Sequence, residues 1–391
     1  MHFTRGKVLD SLCEKVFSGI KFITAKSRFA IKETPMSVQF IGMLGHRLTS
    51  ETLAPTGPIF DKHVITDFAR AHEEAGFDRI LVGYWSDQPD GFLVTALAGQ
   101  VTSKIKFLLA HRPGFVAPTV AARKLATLDH LLDGRLAVHI ISGGSDAEQR
   151  KDGDYQDHDQ RYARSDEFLE VVRRVWTEEQ PFDHQGTFYQ AEAAFSAIKP
   201  LQKPHLPVYF GGSSQAALQV AGKHADVFAL WGESLEQTRE TIEQVRAEAA
   251  RNGREVQFSV SFRPIIAATE DAAWAKADQI LTAARQRIEQ AGQVIANKPQ
   301  SVGAQRLLDT VAKGERVDER LWTGIARLVG GGHNSTALVG TPEQVADALL
   351  AYYELGVTTF LIRGFDPIED AKDYGRELIP LTRAKIAARQ G

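Results

Sequence analysis

A single cysteine, Cys13, in 391 residues excludes an internal disulfide and any metal site built on a cysteine cluster. Neither charge sign is in large excess. Lys and Arg number 46 against 49 Asp and Glu, a formal net charge of -3, so nothing points to nucleic acid or another polyanion as partner. No apolar run is long enough to span a bilayer. The chain has no GxSxG elbow, no GxxxxGK[ST] loop and no GxGxxG fingerprint. With no HxH pair after the first strand, and no acidic pair at equivalent strand ends, metal hydrolysis and two-carboxylate glycoside hydrolysis are poorly supported. What remains, 43% hydrophobic and 24% charged, is globular composition, and a soluble cytoplasmic protein fits it best.

The first 35 residues stand apart. Arg5, Lys7, Lys15, Lys21, Lys26, Arg28 and Lys32 outnumber Asp10, Glu14 and Glu33. Residues 1–35 are read as an extension outside the fold, with Met36 as a candidate functional start and residues 36–391 as the folded unit.

Beyond it, short apolar runs alternate with helix-spaced segments. Strands are expected over Val38–Leu44, Asp78–Val82, Ile105–Ala110, Leu136–Ile141, Val208–Phe210, Val227–Leu230, Val256–Ile266 and Val357–Ile362. Eight buried strands with intervening helices predict an α/β fold, the (β/α)8 TIM barrel. A surface hairpin is expected over Pro181–Tyr189 and a last helix over Ile368–Ala388. Between strands seven and eight lies a long insertion, residues 270–334. Ala272–Ala296 reads as helix and Lys298–His333 as a polar, Gly- and Arg-rich stretch, placed to act as a lid; the alternative is a packing or dimerisation insert.

Pro207–Ser214 runs from an apolar strand into Gly211-Gly212-Ser213-Ser214, and a helix-compatible segment starts at Gln215. Glycines admit a close ligand, and the orphan N–H groups of a helix start favour an anion, so this is a candidate phosphate cradle. Taken alone, an ordinary capped turn is the plainer reading. In a barrel, residues just after each strand share one pocket. They include His46, Tyr84, Trp85, Gln88, His111, Arg112, Ser142, Gly144, Ser145, Ser213, Ser214, Trp231, Ser261, Arg263, Arg363 and Phe365. Dense aromatics suit a planar ligand and dense arginines an anion. His139, inside the fourth strand, reads as a core or near-mouth histidine rather than a metal ligand. Arg161 and Tyr162 either cap and pair at the surface or reach an anion at the mouth.

Several segments, in one order, resemble the bacterial luciferase-like flavin monooxygenases, and among them the alkanesulfonate monooxygenase branch. They are Arg112-Pro113 with Pro118–Arg123, Ala126–Asp129, Asp157-His158 with Arg161-Tyr162, Tyr209–Ser214, Trp231-Gly232-Glu233, Ser301–Gly303 with Gln305-Arg306, and Thr336–Gly340. The resemblance implies a two-component system. An NAD(P)H-dependent FMN reductase would supply reduced FMN, O2 would add to it to give a peroxyflavin, and a sulfonate would be converted to aldehyde and sulfite. It further implies a homodimer or homotetramer. Tyr162, Ser213 and Ser214, with Arg161 and Gly212 beside them, are implied to hold the flavin phosphate. Ser142, Gly144 and Ser145 are implied to lie beside the ring system. Arg306 is implied to face the anionic substrate from the lid. Arg263, Arg306, His333 and Trp231 are the catalytic candidates; His46, Gln88, Arg112, Arg363 and Phe365 are the substrate-wall candidates. The chain departs from the sulfonate pattern at Gln88, Ser261, Arg263, Phe365 and Pro367, so a different small molecule, such as a sulfone or an aliphatic or heterocyclic compound, is the second reading. A non-catalytic flavin-binding barrel is the third.

Overall fold

The computed structural model describes residues 38–292, 299–332 and 335–390. The expected extension 1–35, the start at Met36 and the candidate His333 lie outside these residues. Eight parallel strands close into a barrel: β1 (Gln39–Met43), β2 (Arg79–Val82), β3 (Lys106–His111), β4 (Leu136–Ile140), β5 (Val208–Gly211), β6 (Val227–Trp231), β7 (Gln257–Phe262) and β8 (Val357–Ile362). Each pairs with its chain neighbours, and β8 returns to β1 through Gln39 opposite Thr359. Strand alternation turns Ile41, Leu108, Ala137, Tyr209 and Val227 inward, where they plug the barrel. The opposite faces of the strands join the surrounding helices in one continuous apolar layer.

The expected barrel is present, with corrected boundaries. The single strand expected over Val256–Ile266 is broken. β7 stops at Phe262, and Ile265–Ile266 joins a second sheet. Pro264 has no N–H for a ladder, and the Arg263 N–H donates to Thr336 O instead. The last helix is three pieces: Glu369–Asp373, a π-helical turn Tyr374–Leu378, and Ile379–Gln390. Pro380 lacks the donor that would continue a regular α ladder there. The helices Asp146–Lys151 and Pro342–Glu354 and the strand Ala337–Gly340 have no counterpart among the expected elements. The second of these carries a capping box, Thr341 with Gln344, and Pro342 in its first turn.

The insertion is not the polar loop expected after its first helix. Helices Glu270–Gln290, Val302–Lys313 and Gly324–Leu328 flank a small sheet in the order 265–266, 337–340, 321–322, 316–317. Ala273, Ala277, Trp322, Ile325 and Val339 form its own apolar core. Charged residues dominate its surface, which masks that core in the residue order.

His72 and His111 are buried in this framework. His72 bonds Phe68 O through Nδ1 at 2.8 Å, and His111 packs between Phe92 and Phe168. Burial pushes both imidazoles down to about 4 from an ordinary 6.5. Between those values the unfolded chain takes up protons that the folded chain refuses. Their contribution is therefore complete above pH 6.5 and is lost as pH falls toward 4. The melting temperature should drop steadily from pH 7 to pH 5. Each histidine should account for ~1.4 kcal/mol per pH unit at most. A His72→Gln variant should show a shallower decline; an unchanged slope would contradict the assignment.

Candidate active site

The cradle forms where β5 ends. Gly212 has a φ of 136°, and a Cβ there would lie 2.6 Å from the Tyr162 hydroxyl and 2.7 Å from Ala217 Cβ. Only glycine permits that approach. Ser214 caps the helix Gln215–His224, its side chain accepting from the Ala217 N–H at 3.2 Å. Tyr162 projects from the helix His158–Thr177, which starts with a capping box of Asp157 and Gln160. Its ring packs beside His158 and Phe210, and its hydroxyl hydrogen-bonds Ser214. Burial raises the Tyr162 hydroxyl above its ordinary pKa, so it is a neutral hydroxyl at physiological pH. The turn thus gathers Gly212, Ser213, Ser214, Tyr162 and a helix N-terminus. Arg161 turns elsewhere: it donates to Asp146 at 3.0 Å and to Gln156 O at 2.6 Å.

Beside the cradle, β4 delivers the loop Ser142–Ser145. Ser142 Oγ meets Ser165 Oγ at 2.9 Å, and Ser165 donates to Arg161 O. Gly144 lies against Ser301 of the insertion, and Ser145 caps the helix Asp146–Lys151. On the inward faces of β4 and β7, His139 Nδ1 and Ser261 Oγ are buried without a partner among the described residues. Burial lowers His139 to about 4, so its ring is a neutral donor and acceptor. Orphaned polar atoms on an inner barrel face are what a polar, planar ligand would satisfy. Composition alone did not separate His139 from a core histidine. The signal was its alternation with Ala137, which fixes both side chains inward.

The arginines expected to meet an anion are each engaged by a carboxylate. Arg112 contacts Glu148 at 2.7 Å and lies over the Tyr84 ring, 4.5 Å from its centroid. Arg306 holds Glu233 through Nε and Nη2 at 2.6 to 3.0 Å and also donates to Gln237 O and Thr241. Arg263 contacts Glu51 at 2.5 Å, donates to Gly364 O at 2.7 Å and stacks on Phe365, 3.7 Å from the ring centroid. Arg363 shares Glu51 at 3.5 Å. Glu51, Glu148 and Glu233 were not candidates. Glu233 stands in the Trp231-Gly232-Glu233 segment, but nothing in the residue pattern marks Glu51.

His46 and Gln88 lie in the loops after β1 and β2. Among the described residues, His46 Nε2 and Gln88 Oε1 are buried without partners, while Gln88 Nε2 donates to Asp87. Burial, aided by Arg47, lowers the His46 pKa. Trp231 packs against Gly303. Gln300, meanwhile, accepts from the Asp146 N–H at 3.0 Å. The insertion therefore touches the ends of β4 and β6 together, through Ser301, Gly303, Gln300 and Arg306.

Residues 38–359 match the family described as luciferase-like monooxygenase. The chain belongs to this family. Solved structures of low identity share the fold. A riboflavin lyase (RcaE) with modified FMN and riboflavin aligns with a TM-score of 0.72 at 20% identity, over 89% of this chain and 92% of that one. The EDTA monooxygenase of Chelativorans sp. BNC1 aligns with a TM-score of 0.70 at 19% identity, over 89% and 94%. An F420-dependent secondary alcohol dehydrogenase aligns at 0.65 and 18%, over 89% and 99%. Of these neighbours, one is described with a modified FMN and another with an F420 adduct.

Glu233 is buried and its carboxyl is raised by that burial, with Arg306 opposing the shift. Removing only the cation strands a buried carboxylate. Arg306→Met should lower unfolding free energy in denaturant titration by about 3 kcal/mol. The double variant Arg306→Met with Glu233→Gln should recover part of that loss. Additive losses would show the two side chains to be uncoupled.

Proposed function

We propose that this protein is an FMN-dependent monooxygenase that takes reduced FMN from an NAD(P)H-dependent reductase and uses O2 to oxygenate a small organosulfur compound, an alkanesulfonate yielding aldehyde and sulfite. Family membership supports flavin monooxygenation in general. The observation that carries FMN in particular is the Gly212 turn. Its packed tyrosine hydroxyl, two serines and helix start suit a terminal phosphate. Gly212, Ser213, Ser214 and Tyr162 would hold that phosphate. Ser142, Gly144, Ser145 and His139 would lie along the ring.

The bound flavin supplies the redox and oxygen chemistry. The chain's own residues do three other things. The cradle would fix the phosphate end and so orient the ring toward the barrel mouth. Trp231 and the insertion segment Gln300–Gly303 restrict water at that mouth. His139, neutral and without a partner at Nδ1 among the described residues, would offer a hydrogen-bonding nitrogen toward a bound ring. The candidates Arg263, Arg306 and Arg363 act through their carboxylate partners: Arg306 latches the insertion, while Arg263 and Arg363 set the charge of the substrate wall.

Anaerobic titration with photoreduced and with oxidised FMN tests this reading. The reduced form should bind more tightly, and Tyr162→Phe should weaken it by roughly tenfold, about the cost of one hydrogen bond. Equal affinity for both redox forms, or an unaltered Tyr162→Phe variant, would count against it. Sulfite release from a sulfonate panel with a generic reductase then tests the substrate class.

A further inference from the structure

Five arginines are buried among the described residues: Arg79, Arg112, Arg161, Arg164 and Arg263. Four of them touch a carboxylate. Arg112 meets Glu148, Arg161 meets Asp146, Arg164 meets Asp154 and Arg263 meets Glu51. Arg79 is the exception. It is 5% exposed, and its guanidinium has two neutral neighbours. Phe107 O accepts from Nη1 at 3.1 Å, and the Tyr209 ring centroid lies 5.6 Å away. Nε is buried without a partner among the described residues. A cation withdrawn from water is costly unless an anion meets it, and one carbonyl with a ring face offsets only part of that cost.

Strand register puts this group inside the barrel, at the end opposite the mouth. Arg79 opens β2, stands opposite Ile41 and precedes Leu81 by two residues. Ile41 and Tyr209 belong to the inward plug, and Leu81 packs on it, so alternation turns Arg79 inward below Tyr209. Its partner in register on β3 is Lys106, which is exposed and precedes inward-facing Leu108 by two residues. Paired positions on neighbouring strands lie about 4.8 Å apart, so two cations share the barrel floor. The acidic residues that precede β2 and β6 are committed elsewhere. Asp78 accepts from the Phe40 N–H at 2.7 Å and from Arg383 at 2.8 Å. Asp226 accepts from the Val208 N–H and from Arg254, each at 2.9 Å.

We propose that the floor of the barrel is a binding site for a small oxyanion, held by Arg79 and Lys106. One edge of the Arg79 guanidinium, Nε with Nη2, makes no hydrogen bond to the described residues. Such an edge matches two oxygens of a sulfate, phosphate or carboxylate. Lys106 adds an ammonium on a flexible stem from the solvent side. A halide, with one centre, cannot meet both N–H directions of the fork. The site is distinct from the turn at Gly212, which follows the opposite end of β5. Barrel enzymes place their chemistry at the C-terminal ends of the strands, so an anion at the floor serves the fold: it neutralises Arg79 and ties β2 to β3. Its binding does not depend on the cofactor proposed above.

Equilibrium dialysis of the full-length protein against labelled sulfate, with chloride balancing the ionic strength, tests the site. Tyr162→Phe runs alongside, because sulfate entering the turn at Gly212 would respond to that change and not to Arg79. The wild type should retain sulfate. Arg79→Met should weaken it at least ~10-fold, the loss of a charge-assisted bidentate pair. Lys106→Gln should weaken it roughly threefold, as suits an exposed charge. Tyr162→Phe should leave this binding unchanged. A wild type that retains no sulfate, or retention that Arg79→Met leaves intact, would overturn the proposal. Should Arg79→Met fail to fold, the exposed Lys106 keeps the test open: unchanged affinity in Lys106→Gln would overturn it as well.

Discussion

A guanidinium withdrawn from water needs an anion beside it, and this requirement shapes the whole rim of the barrel. Arg112, Arg263 and Arg363 follow barrel strands, and Arg161 and Arg306 come from helices. These five arginines are met by a carboxylate from a loop or a neighbouring helix: Arg112 by Glu148, Arg161 by Asp146, Arg263 and Arg363 by Glu51, and Arg306 by Glu233. Stranding one buried partner of such a pair costs ~3 to 5 kcal/mol, far more than an exposed pair contributes. The loops are therefore positioned by charge as much as by apolar packing. The insertion is fastened by Arg306 and the β1 loop by Glu51.

Two unlike recognition surfaces result. At the β5 turn the proposed phosphate cradle is made of uncharged groups: Gly212, Ser213, Ser214, the Tyr162 hydroxyl and a helix start. Across the mouth, the wall near β7 and β8 is charged but largely neutralised from within. Between them the inner face offers the orphaned His139 Nδ1 and Ser261 Oγ. In the proposed function an anionic cofactor tail would meet dipoles at this turn.

The barrel was legible in the sequence because strands buried on both faces write continuous apolar runs, as in Val208–Phe210 and Val357–Ile362. The cradle was legible because its glycines and serines are adjacent in the chain. The packed insertion was not, since Trp322 and Val339 join Ala273 and Ala277 across long stretches of polar sequence. The roles of the arginines were not legible either. Arg306 and Glu233 are 73 residues apart, and no local pattern announces that one will neutralise the other. The same holds for Glu51, whose partners directly follow the last two barrel strands. Residue type showed where charge would gather, and only the fold shows which charges cancel.

If the Gly212 turn anchors the cofactor by its phosphate, the phosphate should supply much of the affinity. Comparing equilibrium binding of FMN with that of riboflavin, which has the same ring and lacks the phosphate, tests this most directly. FMN should bind at least ~100-fold more tightly, as several hydrogen bonds to a charged group would give. Equal affinities would contradict the assignment of the turn as the flavin phosphate site.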